Sequence, residues 1–370
     1  MADICEIRVY DPELNWIGVC ATAESARFER ELYGAGAFEI HVRPEKSGAI
    51  ELATPGNFII INGDPAWSGI IRSFSVIESR GQAEFAIWGE SCAGILKQRV
   101  IVPPTQAQDL TALGWDKVTG SAEAVMKHYV SLQAMEPYDP ARAFPLLRIE
   151  ANQNRGQSFS WQARYSILLD ELSDIGKYAG MGFAVTAHAG AKQLAFETVL
   201  GTDRSKNQDI VSPVSFNMEY QNLADYTYTE DYSNYRTTAY AGGDGKDENR
   251  PVIVLDGDIS GLLRFETFID CSNAKNTAEL QALGRQKLAE MAAAKNVEAS
   301  ALPKAYIFGQ DYFLGDLVTL YISRLGLDIS ARVTSAVEIW ERQSGHKTEI
   351  RFGEKLPNIF TTSLKKEVIL

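Results

Sequence analysis

Pro55-Gly56-Asn57-Phe58-Ile59-Ile60-Ile61 and, near the other end of the chain, Leu314-Gly315-Asp316-Leu317-Val318-Thr319-Leu320 follow one pattern. Each places a glycine and a short polar side chain ahead of an apolar run. Each is followed by a long alternating strand, Ser68–Ser79 and Ile329–Trp340. Each strand turns at a glycine, Gly81 and Gly345, and each returning strand closes on an aromatic-Gly-Glu, Trp88-Gly89-Glu90 and Phe352-Gly353-Glu354. Counted from Pro55 to Glu90 and from Leu314 to Glu354, the spans are 36 and 41 residues, one short loop apart. A repeated β unit is the sharp reading. The alternative is that any two β-hairpins share such a pattern.

Outward from the first copy, the N-terminal hundred residues alternate with period two. Ile7 and Val9 alternate with Glu6, Arg8 and Tyr10, and Trp16–Ala21 returns after the turn Asp11-Pro12-Glu13-Leu14-Asn15. Arg27–Arg43 reads as a long strand that the glycines of Tyr33-Gly34-Ala35-Gly36 bend or bulge. Many short strands with glycine-rich turns imply a small barrel or sandwich. After Val102-Pro103-Pro104 the pattern becomes α+β. Ser121 caps a helix through Leu132, Tyr165–Ala179 is a second helix stopped by Gly180, and Gly182–Ala187 with Gln193–Val199 forms a hairpin. Strands resume at Val214–Met218, Tyr226–Tyr240, Pro251–Leu255 and Leu263–Ile269. Asn276–Ala294 reads as a helix, and strands run from Val297 to Phe352.

The chain has 370 residues, which suits two to four packed units. Its 36 basic and 48 acidic residues give a net charge of −12, which repels phosphates and anionic lipid alike. Specific nucleic-acid binding and membrane docking are therefore not expected. The start Met1-Ala2-Asp3-Ile4-Cys5-Glu6 has acids where a secretory signal needs basic residues, and Phe58–Ile61 is far too short to span a membrane. A cytoplasm-like compartment is expected, unless the protein leaves in a particle or by lysis. Cys5, Cys20, Cys92 and Cys271 are scattered and read as reduced, buried thiols.

No motif demands catalysis. Gly89-Glu90-Ser91-Cys92-Ala93-Gly94 is near a nucleophile elbow but has the wrong spacing, and reads better as a barrel corner. His41, His128, His188 and His346 stand in unlike contexts, without zinc spacing. Gly245-Lys246 lacks the upstream glycine of a phosphate loop. Asp256-Gly257-Asp258-Ile259-Ser260-Gly261 matches the start of a calcium loop, but Thr267 stands where the bidentate Glu belongs, and a polar β-turn is the better reading. Tyr226, Tyr228, Tyr232 and Tyr235 could stack on sugars; packing of a sheet face or subunit contact is the stronger reading. No catalytic, cofactor or metal residue is therefore assigned, and no cofactor is expected. An acid pair of a hydrolase is not readable from sequence, because its spacing is spatial.

The order of segments resembles the siphophage tail-hub family, the N-terminal hub module of tail-associated proteins, which is related to baseplate hub proteins of contractile tails. Tyr33-Gly34-Ala35-Gly36-Ala37-Phe38-Glu39, Asp139-Pro140-Ala141-Arg142, Gly201-Thr202-Asp203-Arg204-Ser205, Asn222-Leu223, Tyr235–Gly242 and Gly309-Gln310-Asp311-Tyr312-Phe313-Leu314-Gly315-Asp316 carry the match, across roughly residues 5–355. The resemblance implies an α+β, β-rich fold: two tube-type β-barrels with inserted α/β units. The expected division is a first barrel at 1–103, an α/β domain at 104–210, and a second barrel from 211–242 and 298–357. A strand-helix segment at 243–297 is inserted, and 358–370 is a tail. The implied role is a non-enzymatic hub at the tip or baseplate of a phage tail. It would be a homotrimer whose two barrels per chain make a pseudo-sixfold ring around a DNA ejection channel. Its partners would be the tail tube, distal tail or baseplate proteins, and a tip spike or fibre. It would be assembled in the bacterial host cytoplasm. Larger members carry a lysin or fibre-binding region; the stop at Leu370 implies none here. The rival readings are a cell-wall carbohydrate hydrolase and a glycan-binding receptor module.

Overall fold

The computed structural model describes residues 5–79, 81–103, 114–302, 305–342 and 344–353. It divides into two compact units, residues 1–222 with 301–350 and residues 223–300 with 351–370.

The first unit opens with β1 (Ile7–Tyr10), β2 (Trp16–Cys20), β3 (Ser25–Glu31), β4 (Ala37–Val42), the one-turn helix α1 (Ala49–Leu52), β5 (Phe58–Ile61), β6 (Ser68–Ser79) and β7 (Gln82–Ser91). Their antiparallel order is β3-β4-β7-β6-β5-β1-β2. Phe58–Ile61 is buried throughout, because its two faces serve two cores. Ile59 and Ile61 join Ile7, Val9, Phe28, Phe38, Ile40 and Ile87. Phe58 and Ile60 join the core of the α/β segment. A strand buried on both faces cannot alternate, which explains the unbroken apolar run.

The long strand expected over Arg27–Arg43 is instead a hairpin. β3 and β4 pair antiparallel from Ser25↔His41 to Phe28↔Phe38. The chain reverses through Leu32–Gly36, and a Cβ on Gly36 would lie 2.0 Å from the Glu29 carbonyl oxygen. Only glycine fits so close a backbone crossing.

The α/β segment contains β8 (Asp116–Ser121), α2 (Ala122–Val130), β9 (Leu147–Ile149), β10 (Ser158–Ala163), α3 (Leu168–Ala179), β11 (Gly182–His188) and β12 (Gln193–Val199). The Ser121 hydroxyl accepts from the Ala124 amide and caps α2, as its position predicts. Gly180 stops α3 in the left-handed conformation at φ 64°. Leu168, Leu172 and Ile175 of α3 and Val125 and Tyr129 of α2 are buried together. Glu123 anchors the segment. It is fully buried and accepts from Lys127 Nζ at 2.6 Å, the Arg155 amide at 2.9 Å, and Arg155 Nε and an Arg155 terminal nitrogen at 3.1 Å each. The two-residue strand β13 (Ser215–Phe216) follows.

The second unit holds β14 (Leu223–Asp231), β15 (Thr238–Gly242), β16 (Val252–Leu255), β17 (Glu266–Asp270), α4 (Thr277–Ala289) and β18 (Ala294–Ala301), the last residue of which falls in the first unit. β14 lies beside β18, and β15 lies between β16 and β17. α4 covers this three-stranded sheet through Leu280, Leu283 and Leu288 against Ala239, Ala241, Leu255 and Ile269. Asn276 caps α4 through the Glu279 amide. The helix ends at Ala289, five residues before the expected end, because β18 starts at Ala294.

The remaining strands of the first unit are β19 (Leu317–Ile322), β20 (Leu327–Glu341) and β21 (Gly345–Gly353), which begins there and crosses the division at 351. β20 pairs with β19 over Leu327–Arg332 and with β3 over Ser335–Glu341. Trp340 enters the first core, 6.4 Å from Trp67 ring to ring.

Candidate assembly site

The two sequence stretches that share a pattern also share a geometry. Gly56 has φ +95° and Gly315 has φ +94°, both in the region that favours glycine. The Gly56 amide donates to Ile71 O at 2.8 Å and the Ile71 amide to Asn57 O at 2.9 Å. The Gly315 amide donates to Val333 O at 2.8 Å and the Val333 amide to Asp316 O at 2.8 Å. The register continues in step: Phe58 faces Ile70 as Leu317 faces Arg332. Gly81 and Gly345 carry φ +76° and +87° at the following turn. The likeness therefore extends beyond alternation to the glycine conformation, a reciprocal hydrogen-bond pair and the strand register.

The second copy carries a clasp that the first lacks. The buried Asp316 carboxylate accepts from the Thr202 amide at 2.7 Å, Arg204 Nε at 2.8 Å and the Phe313 amide at 3.0 Å. The Leu317 amide donates to Thr202 O and the Arg204 amide to Leu317 O. A Cβ on Gly201 would stand 1.8 Å from Gly315 O. Thus Gly201–Ser205 and Gly309–Asp316, read as separate motifs, form one assembly. In the first copy Asn57 stands in the place of Asp316, and its amide instead donates to Glu51 O at the end of α1, at 2.9 Å. Asp139-Pro140-Ala141-Arg142 forms a capped turn whose Arg142 donates to Val100 O and Gln133 Oε1. Gly201–Ser205 is thus held to the start of β19, and the Asp139–Arg142 turn to the chain at Val100 and Gln133.

A sequence model of the Siphovirus ReqiPepy6 Gp37-like proteins matches residues 6–354. The chain belongs to that family. Its fold is shared with the tail protein of Neisseria meningitidis MC58, at TM-score 0.57 and 15% identity over 95% of this chain and 96% of that one. The 43 kDa tail protein of prophage MuSo2 from Shewanella oneidensis gives TM-score 0.58 and 12% identity over 94% and 98%. Prophage tail protein gp18 of Listeria monocytogenes EGD-e gives 0.55 and 12% over 98% and 99%. No curated protein matches the sequence. The resemblance read from the ordered motifs is thus the family found, and the β-rich α+β fold is that of these tail proteins.

The residues weighed for chemistry in this Gp37-like chain lie apart. Cys92 is fully buried, its thiol pushed up to about 12 by burial, and it contacts Ser68 Oγ at 3.4 Å. The adjoining Glu90 is held by Arg72 and Lys97. Burial also pushes Cys5 up to about 12, and all four cysteines are free and buried. His41 sits between Glu39 and Glu84, His128 beside Asp116, His188 beside Thr186 and His346 beside Glu338. Each histidine has a different local partner. In the Asp256–Gly261 loop, an Arg264 guanidinium nitrogen donates to Gly257 O at 2.7 Å and Ile259 O at 2.9 Å, so a side-chain cation already takes those carbonyls. The tyrosines serve local contacts: Tyr228 and Tyr232 donate to Glu230, and Tyr235 packs between Tyr232 and Phe265. Among the described residues no cluster of acidic, cysteine or histidine side chains could hold a metal ion, and no helix is long and apolar enough to cross a membrane.

Proposed function

We propose that this chain is a structural hub of a phage tail tip or baseplate, assembled as a homotrimer in which each chain supplies two equivalent modules. The observation that carries the reading is the repeated turn, with its matching glycine angles, reciprocal hydrogen bonds and strand register. A duplicated module lets three chains present six similar positions, so a threefold tip can meet a sixfold tube. In this reading the first module is 1–103, the α/β domain is 104–210, and the second module is 211–242 with 298–357, interrupted by 243–297. Each module closes a tube-type barrel in the assembled ring. Its partners are the tail tube, distal tail or baseplate proteins, and a spike or fibre at the tip, and its place is the virion tail.

The reading assigns no enzymatic step. Buried thiols with raised pKa are poor nucleophiles, and the Cys92 sequence that approaches an elbow runs from the end of β7 into a buried 3-10 turn. The chain's charge of −12 suits a lumen that DNA crosses without sticking. Negative-stain images of particles labelled with an antibody to this chain test the placement: label at the tail tip supports it, and label confined to the capsid overturns it.

A further inference from the structure

β20 has β21 on one side. On its other side it carries two strands in succession, β19 against Leu327–Arg332 and β3 against Ser335–Glu341. β6 is its counterpart. It has β7 on one side and, on the other, β5 against Ser68–Ile70. Counted from the shared hydrogen-bond pair, Ser73 corresponds to Ser335, where the ladder to β3 begins. From Ser73 onward β6 has no strand on that side among the described residues. The repeat is therefore incomplete in one chain at one place, and the chain itself shows what kind of strand fills that place.

The bare edge has the character of an interface. Phe74, Val76 and Ile77 are 42%, 54% and 47% exposed. Ser73-Phe74-Ser75-Val76-Ile77-Glu78 contains no Lys, Arg or Pro, residues that protect a free edge, and its one charged side chain is Glu78 at the end. A long apolar edge of this kind pairs with another strand or aggregates.

The second unit offers a second strand with a free side. β14 is nine residues long and, among the described residues, has β18 as its one hydrogen-bonded neighbour. It also lacks Pro and Gly. The residues that pair across the intact β20–β3 join number seven on each strand, and β14 is long enough to supply them.

We propose that Ser73–Glu78 of β6 takes, antiparallel, the strand Leu223–Asp231 of a second copy of this chain. The contact is head-to-tail, so it uses different surfaces on the two partners and closes into a ring when the rotation per step allows. The proposal rests on the trimeric hub reading and names the contact that reading needs.

Two variants test it on the full chain. Val76→Glu with Ile77→Glu places two carboxylates on the bare edge, opposite a strand that carries Asp225, Glu230 and Asp231. Native mass spectrometry of the wild type is expected at about three times 40.8 kDa, and of the variant at 40.8 kDa with an unchanged circular dichroism spectrum. Separately, Val76→Cys is combined in turn with Asp225→Cys, Thr227→Cys and Thr229→Cys and mildly oxidised. At least one pair is expected to give covalent dimers and trimers on a non-reducing gel. A trimeric wild type with a trimeric glutamate variant overturns the edge and leaves the hub reading standing. A trimer that the glutamates break but no cysteine pair links overturns β14 as the occupant. A monomeric wild type overturns both.

Discussion

Replacing Glu123 by Gln isolates a buried charge arrangement in the α/β segment. The carboxylate is fully buried at the first turn of α2, between Lys127 and Arg155. Burial alone would raise its pKa; the hydrogen bonds from Arg155 and Lys127 outweigh that and bring it down to about 2 from the ordinary 4.5. A fall of that size corresponds to ~3 kcal/mol favouring the ionised form in the folded chain. Removing one partner of a buried pair costs about 3–5 kcal/mol, because the other charges stay buried without it. Two routes thus give about 3 kcal/mol at neutral pH. The sign follows from the depressed pKa. The contribution is complete above 4.5 and is lost as pH falls from 4.5 towards 2. A protonated Glu123 resembles Gln, so the difference between wild type and Glu123→Gln should shrink over the same window. Urea unfolding followed by tryptophan fluorescence, repeated from pH 7 to pH 2.5, reads that difference directly. A difference that stays constant with pH refutes the assignment of the stability to the ionised pair.

Asp316→Ala should destabilise the chain by about 3 kcal/mol, since two amides and Arg204 lose a buried acceptor. Hydrogen exchange should show the Thr202 and Phe313 amides losing protection first. Gly36→Ala should prevent the β3–β4 hairpin from closing, as a Cβ there meets the Glu29 carbonyl at 2.0 Å. Gly81→Ala, in open space but at φ +76°, should cost only ~1 kcal/mol, and paired thermal melts compare the two. The four cysteines should resist a thiol reagent at pH 8 and all titrate in denaturant, because each is free and buried.

The strands were legible where apolar residues recur with period two, as Ile7 and Val9 do around exposed Arg8 and Leu194 and Phe196 do in β12. Ser121, Gly180 and Asn276 marked helix ends because capping is local chemistry. The β3–β4 reversal was not legible: period two continues through Phe28 and Phe38, and only the Glu29 carbonyl beside Gly36 shows that the chain turns back. Met291 extended the apparent stripe of α4 past Ala289, although the helix ends there and strand β18 begins at Ala294. The repeated turn was visible as a pattern, but its clasp was not, because Thr202 and Asp316 meet only after folding. The bare side of β6 was equally hidden, since Ser73–Glu78 reads like any half-buried strand until its neighbours are known.

The central claim is that one chain carries two equivalent modules, so that three chains occupy six positions. Cryo-electron microscopy of the isolated assembly, averaged first without imposed symmetry, measures this most directly. The account predicts three chains in a ring whose density shows a weaker sixfold modulation. A ring of six chains, or three chains with a single ring-forming module each, contradicts it.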